Sequence, residues 1–198
     1  MPNFRIFTES KADIKFLKDY IEEVFNVSST EDDFDSLGSW GGYKAGGSIK
    51  ASIKQNTIDD EKISILILDA DHNFNQRQHE ILDDFTLANI SINLFLFPNN
   101  SENGNLEDLL ATIAFDRKLM GCFLDYEKCV KAYPKKLNDS RIYSYLDMLL
   151  IDNYKDEKGK DLRKEEFRNY RNNNHWLLQH EYLSPLKDFL SSFLIQAH

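Results

Sequence analysis

Three carboxylate residues stand where two apolar segments of the chain end. Glu9 follows residues 4–7, and Asp69 and Asp71 follow the apolar run 63–68 in an Asp-Ala-Asp pattern. Alternate residues of a strand point the same way, so Asp69 and Asp71 can direct two carboxylates at one point. Clustered carboxylates stay ionised only with compensating positive charge, and a hard cation with oxygen ligands is the usual source. Acids at strand ends also cap helices or face solvent, and that alternative stays open for each residue taken alone.

The segments around these carboxylates predict strands that alternate with helices. Residues 63–68 form a nearly unbroken apolar run with β-branched residues, which is typical of a strand buried on both faces of a parallel sheet. Residues 4–7 and 90–97 predict two further strands, and apolar residues at helical spacing predict helices from about Lys11 and around Ile81. This alternation indicates an α/β fold with a mostly parallel sheet, whose ligands bind at the carboxyl ends of the strands.

The combination of Glu9 with Asp69-Ala70-Asp71 resembles the TOPRIM domain, the acidic metal-binding module of bacterial primases, topoisomerases and small nucleases. Further along the chain, the segments FLFPNN (95–100), GNLEDLL (104–110) and LSPLKDFL (183–190) are similar to an uncharacterised bacterial family of TOPRIM-related proteins. One departure is Ser10, because the TOPRIM motif usually has glycine after its glutamate.

The resemblance implies a TOPRIM-like α/β domain over residues 1–115, with a helical C-terminal half, residues 116–198, packed on it. It also implies hydrolysis of phosphodiesters in nucleic acid with Mg²⁺ or Mn²⁺ as cofactor. Glu9 would then be a metal ligand or the base, and Asp69 and Asp71 would be metal ligands. The glycine-rich segment 38–48, which does not fit the P-loop pattern, would hold the second strand and its turn.

Residues near the predicted metal ligands each have two interpretations. Asp13 closes a capping box with Ser10 at the start of the first helix, or it supports the metal ligands from behind. Glu107 and Asp108 lie in the first turn of a predicted helix, where carboxylates favour the helix dipole, but their loop could also bring them to the metal. His72 directly follows Asp71 and is a candidate acid or base near neutral pH.

A basic run with interleaved tyrosines is the best candidate for contacts to nucleic-acid phosphates. Its members are Lys128, Lys131, Lys135, Lys136 and Arg141. A solvated helix face is the alternative interpretation of such a run. The following segment, residues 152–174, is very polar and predicts a solvated helix or loop.

Composition limits the classes of function. The chain has 198 residues, the size of one domain, and a net charge of −9 that disfavours a general nucleic-acid coat or a membrane binder. Its first residues lack an apolar signal segment, so we expect a cytoplasmic protein with no membrane partner. We expect Cys122 and Cys129 to be reduced and buried.

Two other functions compete with a small metal-dependent nuclease or nuclease subunit. One is a catalytically silent interaction module that keeps the TOPRIM architecture and binds a protein partner, which the acidic surface favours. The other is a phosphatase of the Asp-x-Asp type. It is disfavoured because Asn73 stands where such enzymes have threonine or valine, and because a complete strand and helix precede Asp69.

Overall fold

Four parallel strands lie at the centre of the structure, in the order β2-β1-β3-β4. The computed structural model describes residues 4–38, 47–59, 62–130 and 141–194. The strands are β1 (Phe4–Thr8), β2 (Phe34–Ser36), β3 (Ile63–Asp69) and β4 (Asn93–Phe97). Seven α-helices are found in the described ranges: α1 (Lys11–Phe25), α2 (Gly47–Lys54), α3 (Phe74–Leu87), α4 (Leu106–Thr112), α5 (Arg117–Val130), α6 (Arg141–Leu150) and α7 (Ser184–Leu194).

Strand β3 runs through the middle of the sheet with its side chains buried on both faces. It pairs in parallel with β1 through Ile6 and Ile65, and with β4 through Ile67 and Phe95. Successive residues of β3 face two separate apolar clusters, as the side-chain alternation of a strand requires. The predicted α/β class and the parallel sheet are therefore confirmed.

Helices cover both faces of the sheet. On one face, Leu66 of β3 packs in a cluster with Ile81 and Phe85 of α3. On the other face, a larger cluster joins the sheet to α1 and to the C-terminal helices, and it includes Phe16, Leu17, Ile65, Ile67, Trp176, Leu186 and Leu190. Each fully buried side chain of this size contributes about 1.5–3 kcal/mol. The C-terminal half thus shares its core with the sheet.

Helix α1 begins where its capping residues predict. The Ser10 side chain accepts a hydrogen bond from the backbone N–H of Asp13 at 3.2 Å. In return the Asp13 carboxylate accepts from the backbone N–H of Ser10 at 2.8 Å. These bonds satisfy donors that no turn of the helix can satisfy, and they confirm the predicted capping box.

Two strands differ from their predicted positions. The second strand is Phe34–Ser36, ahead of the glycine-rich segment, most of which (39–46) lies outside the described residues. This strand is three residues long and is too short to have a recognisable period. Strand β4 begins at Asn93 rather than at Ile90, because the N–H of Ile90 bonds to the carbonyl of Phe85 at 3.0 Å and completes the turn that ends α3.

The polar segment 152–174 consists of turns and one short 3₁₀ helix, which agrees with the loop prediction. Solvation is the wrong prediction for Arg168 and Tyr170, whose exposed fractions are 2% and 0%. The backbone N–H of Tyr170 donates to the carboxylate of Asp19 at 3.0 Å, and its ring packs edge-on against Phe16. The segment therefore fastens the C-terminal half to α1 through a buried tyrosine.

Two further observations concern the surface. Cys122 and Cys129 are exposed on α5, so the prediction that they are buried is wrong. The apolar side of this helix is formed instead by residues such as Met120 and Phe123. Among the described residues, no helix combines the length and the apolar character needed to cross a membrane.

Candidate functional site

The carboxyl ends of β1, β3 and β4 meet at one edge of the sheet because the three strands are parallel. Glu9 directly follows β1, and Asp69 is the last residue of β3. The backbone N–H of Asp69 donates to Oε1 of Glu9 at 3.4 Å, across 60 residues of sequence. The sheet therefore brings together the first two carboxylates that the sequence singles out.

Asp71 is held by the loop that follows β4. Its N–H and C=O exchange hydrogen bonds with Gly104, at 2.9 and 2.8 Å. Asp71 has a φ of 54°, in the left-handed region that Asp and Asn adopt more readily than most residues. The φ of Gly104 is 137°, and a Cβ there would lie 2.6 Å from Oδ2 of Asp108, so the loop depends on this glycine. With 56% of its side chain exposed, Asp71 is the solvent-facing carboxylate of the group.

The carboxylate of Asp69 is oriented by the same loop. Its Oδ1 accepts a hydrogen bond at 3.2 Å from the backbone N–H of Leu106, the first residue of α4. Burial raises the pKa of Asp69 to about 9, and the nearby negative charges add to that shift, the largest being those of Asp13 and Glu9. The protonated form of Asp69 is therefore favoured at neutral pH when no external cation is bound.

Asp13 and Glu107 are two further acidic side chains near Asp69, and both raise its pKa. Burial raises the pKa of Asp13 to about 7, opposed by its hydrogen bonds with Ser10 and reinforced by Glu9 and Glu107. Burial also raises the pKa of Glu107. The acidic cluster thus contains Glu9, Asp13, Asp69, Asp71 and Glu107. Asp13 is both a helix cap and a member of this cluster.

Arg77 on α3 lies among these carboxylates, and sequence reasoning missed it. Its Nη2 donates to Oε1 of Glu9 at 2.8 Å and lies 3.3 Å from Oδ2 of Asp71. Its Nε donates to the backbone carbonyl of Asp69 at 3.2 Å. A sequence signal did exist, because Arg77 lies in the first turn of a helix, where the helix dipole disfavours a positive charge.

A second arginine approaches the cluster from the C-terminal half. Arg168 is 2% exposed, and its Nε donates to the carbonyl of Arg163 at 3.0 Å. Its charge counteracts the rise that burial causes in the pKa of Glu107. This neighbour could not be predicted from the sequence, because Arg168 lies in a polar segment that resembles a solvent-exposed loop.

Asp108 and Arg141 are joined to each other on the other side of α4. Asp108 accepts from the backbone N–H of Asn105 at 3.0 Å and forms an ion pair with Arg141. Arg141 also contacts Glu127 at 3.2 Å. Asp108 and Arg141 line a cavity of about 420 Å³ whose wall does not include Glu9, Asp69 or Asp71. Of the two acids at the start of α4, it is Glu107 that lies beside the acidic cluster.

The remaining candidates lie at the surface or outside the described residues. His72 is exposed in the turn after Asp71. Lys128 is exposed and pairs with Asp125 on the same helix at 3.0 Å. Lys131, Lys135 and Lys136 lie outside the described residues, so the proposed phosphate contacts of the basic run stay a prediction.

The acidic cluster is not a preformed metal cage. Within residues 4–38, 47–59, 62–130 and 141–194, no group of three or more His, Cys, Asp or Glu side chains is arranged to hold a metal ion. The guanidinium of Arg77 lies between Glu9 and Asp71 and supplies positive charge to both carboxylates. Arg77 contacts one oxygen of each of these carboxylates, Oε1 of Glu9 and Oδ2 of Asp71.

Comparisons with protein-family models, with curated proteins and with solved structures found no match. The resemblance to the TOPRIM domain therefore stays a prediction that rests on Glu9 and on the Asp69-Ala70-Asp71 pattern. The geometry of the carboxyl edge is the observation from which a function can be proposed.

Proposed function

We propose that this chain is a TOPRIM-like phosphodiesterase that hydrolyses nucleic acid with Mg²⁺ or Mn²⁺ as its cofactor. The proposal is carried by the convergence of Glu9, Asp69 and Asp71 at the carboxyl edge of a parallel sheet. Open α/β sheets bind their ligands at this edge. The proposal covers DNA and RNA alike, since both contain the phosphodiester that the site would act on.

The donor set fits a hard divalent cation. Carboxylate oxygens are the protein ligands that Mg²⁺ prefers, and three carboxylates of the cluster lie at one edge of the sheet. The raised pKa of Asp69, about 9, means that cation binding there releases a proton, so affinity should increase with pH. The chemistry that Mg²⁺ supplies when bound is neutralisation of the negative charge on a phosphodiester.

The side chains of the cluster have different roles in this proposal. Asp69 is a ligand oriented by the backbone, because the N–H of Leu106 donates to its Oδ1 at 3.2 Å. Asp71 is the ligand nearest to an incoming polymer, because more than half of its side chain is exposed. Glu9, with 16% of its side chain exposed, is a ligand or the base that accepts a proton from the attacking water.

Cleavage assays on labelled single- and double-stranded DNA and RNA test the proposal, with Mg²⁺, Mn²⁺ or excess EDTA. Asp69→Asn and Asp71→Asn should each abolish cleavage, because the amide keeps the volume of the side chain but removes its charge. Asp125→Asn is the matched control, since Asp125 is an exposed carboxylate on α5. Cleavage that survives both active-site substitutions and EDTA would contradict the proposed mechanism.

A catalytically silent interaction module is the second candidate function, and Arg77 is the observation that favours it. An arginine that already compensates Glu9 and Asp71 makes an external cation unnecessary for the stability of the fold. This candidate predicts that no cation binds and that no substrate is cleaved. Calorimetric titration with Mg²⁺ and Mn²⁺ separates the two candidates without knowledge of the substrate.

A further inference from the structure

Arg77 is placed in the cluster by several contacts of its guanidinium. The group is bonded to a carboxylate oxygen of Glu9 and to the carbonyl of Asp69, and it lies 3.3 Å from a carboxylate oxygen of Asp71. Only 12% of its side chain is exposed, and 16% of that of Glu9. This is a largely desolvated charge pair, in which charge-assisted hydrogen bonds are stronger than at the surface.

The oxygens that Arg77 contacts belong to residues that the proposed function assigns to a divalent cation. A Mg²⁺ ion lies about 2.0–2.1 Å from its ligand oxygens and requires near-octahedral geometry around itself. The guanidinium of Arg77, 2.8 Å from Oε1 of Glu9 and 3.3 Å from Oδ2 of Asp71, contacts one carboxylate oxygen of each residue. The guanidinium of Arg77 and a Mg²⁺ ion bound to the same carboxylates would also repel one another, because both are positively charged.

We propose that Arg77 is an internal cation that competes with the divalent cation for Glu9 and Asp71. Engagement of Arg77 with both carboxylates and binding of the metal are then mutually exclusive states of the site. This inference rests on the proposed function, and it adds a regulation of that site that resides in the chain itself. The site is stable without metal because Arg77 supplies positive charge, and metal binding requires the arginine to withdraw.

The competition has a quantitative consequence. When only a fraction of molecules is competent to bind a ligand, the apparent dissociation constant rises by the reciprocal of that fraction. Arg77→Gln removes the competing charge and makes the competent fraction close to complete. We expect Arg77→Gln to bind Mg²⁺ about tenfold more tightly than the wild type, within the usual range of coupling between two sites.

Calorimetric titration of the full chain with Mg²⁺ and with Mn²⁺ tests this inference, with thermal unfolding in EDTA as a second readout. Arg77→Gln should melt at a lower temperature than the wild type in EDTA and gain more from added metal. Arg77→Lys is a second variant in case the first does not fold. Its ammonium is a point charge that cannot span the three contacts, so its affinity for metal should be intermediate.

Arg171→Gln is the matched control. Arg171 pairs with two carboxylates of α1, Glu22 at 2.9 Å and Asp19 at 3.9 Å, so this variant also loses one positive charge and its ion pairs. Glu22 is nine residues beyond Asp13 on the helix, about 13 Å along its axis. Metal affinity of Arg171→Gln should match that of the wild type.

The possible results distinguish a failure of this inference from a failure of the proposed function on which it rests. Tighter binding by Arg77→Gln supports the competition, including the case in which only the variant binds measurably. Equal or weaker binding by Arg77→Gln, beside a wild type that binds, overturns the competition and leaves the metal site standing. Absence of binding by the wild type and by both Arg77 variants overturns the competition and the metal-dependent function together.

Discussion

Asp69→Asn should raise the free energy of unfolding of the cation-free protein at alkaline pH. Asp69 is the last residue of β3 and lies beside the loop that precedes α4. Burial and the neighbouring carboxylates raise its pKa to about 9. Asparagine has nearly the same volume, and its Oδ1 can still accept the hydrogen bond from Leu106 that Asp69 accepts at 3.2 Å. The substitution therefore removes a charge and leaves the packing in place.

The direction and size of the effect follow from the linkage between proton binding and folding. When the pKa of a carboxyl is higher in the folded protein than in the unfolded chain, the unfolded chain releases its proton first as the pH rises. The free energy of unfolding therefore decreases over the pH range between the two pKa values. For Asp69 this pH range extends from 3.8 to about 9. Each pH unit inside this range corresponds to about 1.4 kcal/mol of the free energy of unfolding. The upper bound on the effect of Asp69→Asn is therefore several kcal/mol. Relaxation of the loop and entry of water reduce the cost of the buried charge. We therefore expect Asp69→Asn to raise the free energy of unfolding by about 2 kcal/mol at about pH 8.

Urea denaturation in EDTA, followed by circular dichroism across a pH series, measures the difference between Asp69→Asn and the wild type. The difference should shrink toward zero below about pH 3, where Asp69 is protonated in both states. Asp125→Asn is the control, because its parent side chain is 77% exposed and pairs only with Lys128 among the described contacts. It should change stability by less than about 0.5 kcal/mol at every pH.

Added Mg²⁺ should reverse the order of stability. The wild type gains by mass action, by about 2.7 kcal/mol at a hundredfold excess over the dissociation constant, whereas Asp69→Asn has lost a ligand and gains less. A variant that is no more stable than the wild type at about pH 8 in EDTA refutes the idea that Asp69 is a destabilised carboxyl. An equal gain of both proteins from Mg²⁺ would mean that the cation binds elsewhere.

Three further predictions concern the residues that hold the site in shape. Arg141→Gln should lower the free energy of unfolding by about 1–3 kcal/mol in urea denaturation, because Asp108 and Glu127 lose their shared partner. Gly104→Ala should lower it by about 1–3 kcal/mol in the same assay, because its φ of 137° and the 2.6 Å approach to Asp108 leave no room for a Cβ; an unchanged midpoint would contradict the strained geometry. Asp71→Asn should be more stable than Asp71→Ala by about 1 kcal/mol in thermal unfolding with EDTA, since asparagine tolerates the left-handed backbone at φ 54°.

The sheet and its first helix could be predicted because their signals are local. The apolar run of β3 can be recognised without knowledge of its neighbours, since a parallel strand is buried on both faces. The capping box of Ser10 and Asp13 lies within four residues and fixes the start of α1. The position of β2 cannot be predicted in this way, because three residues beside a glycine-rich segment contain no period and only pairing with β1 defines them.

The acidic residues of the site could be predicted by the same logic, whereas the contacts of its basic residues could not. Parallel strands put their carboxyl ends at one edge, so Glu9 and Asp69 had to lie near each other once both strands were recognised. The contacts of Arg77 depend on the rotamer of a long side chain on α3, and those of Arg168 depend on how the loop 152–174 packs against α1. Neither set of contacts corresponds to a fixed spacing of residues in the sequence.

The identity of residue 69 is the strongest reason to regard the cluster as a binding site. The helix cap accounts for Asp13 as a carboxylate, and the ion pair with Arg77 accounts for Glu9. Among the described residues, no comparable contact requires a charge at Asp69, whose hydrogen bond from Leu106 an asparagine would retain. The fold therefore carries the free-energy cost of a buried carboxyl beside other acids without a structural need for it. Strongly shifted carboxyls in such settings are typical of sites that bind or react, and the opposite effects expected for Asp69→Asn with and without Mg²⁺ follow from this.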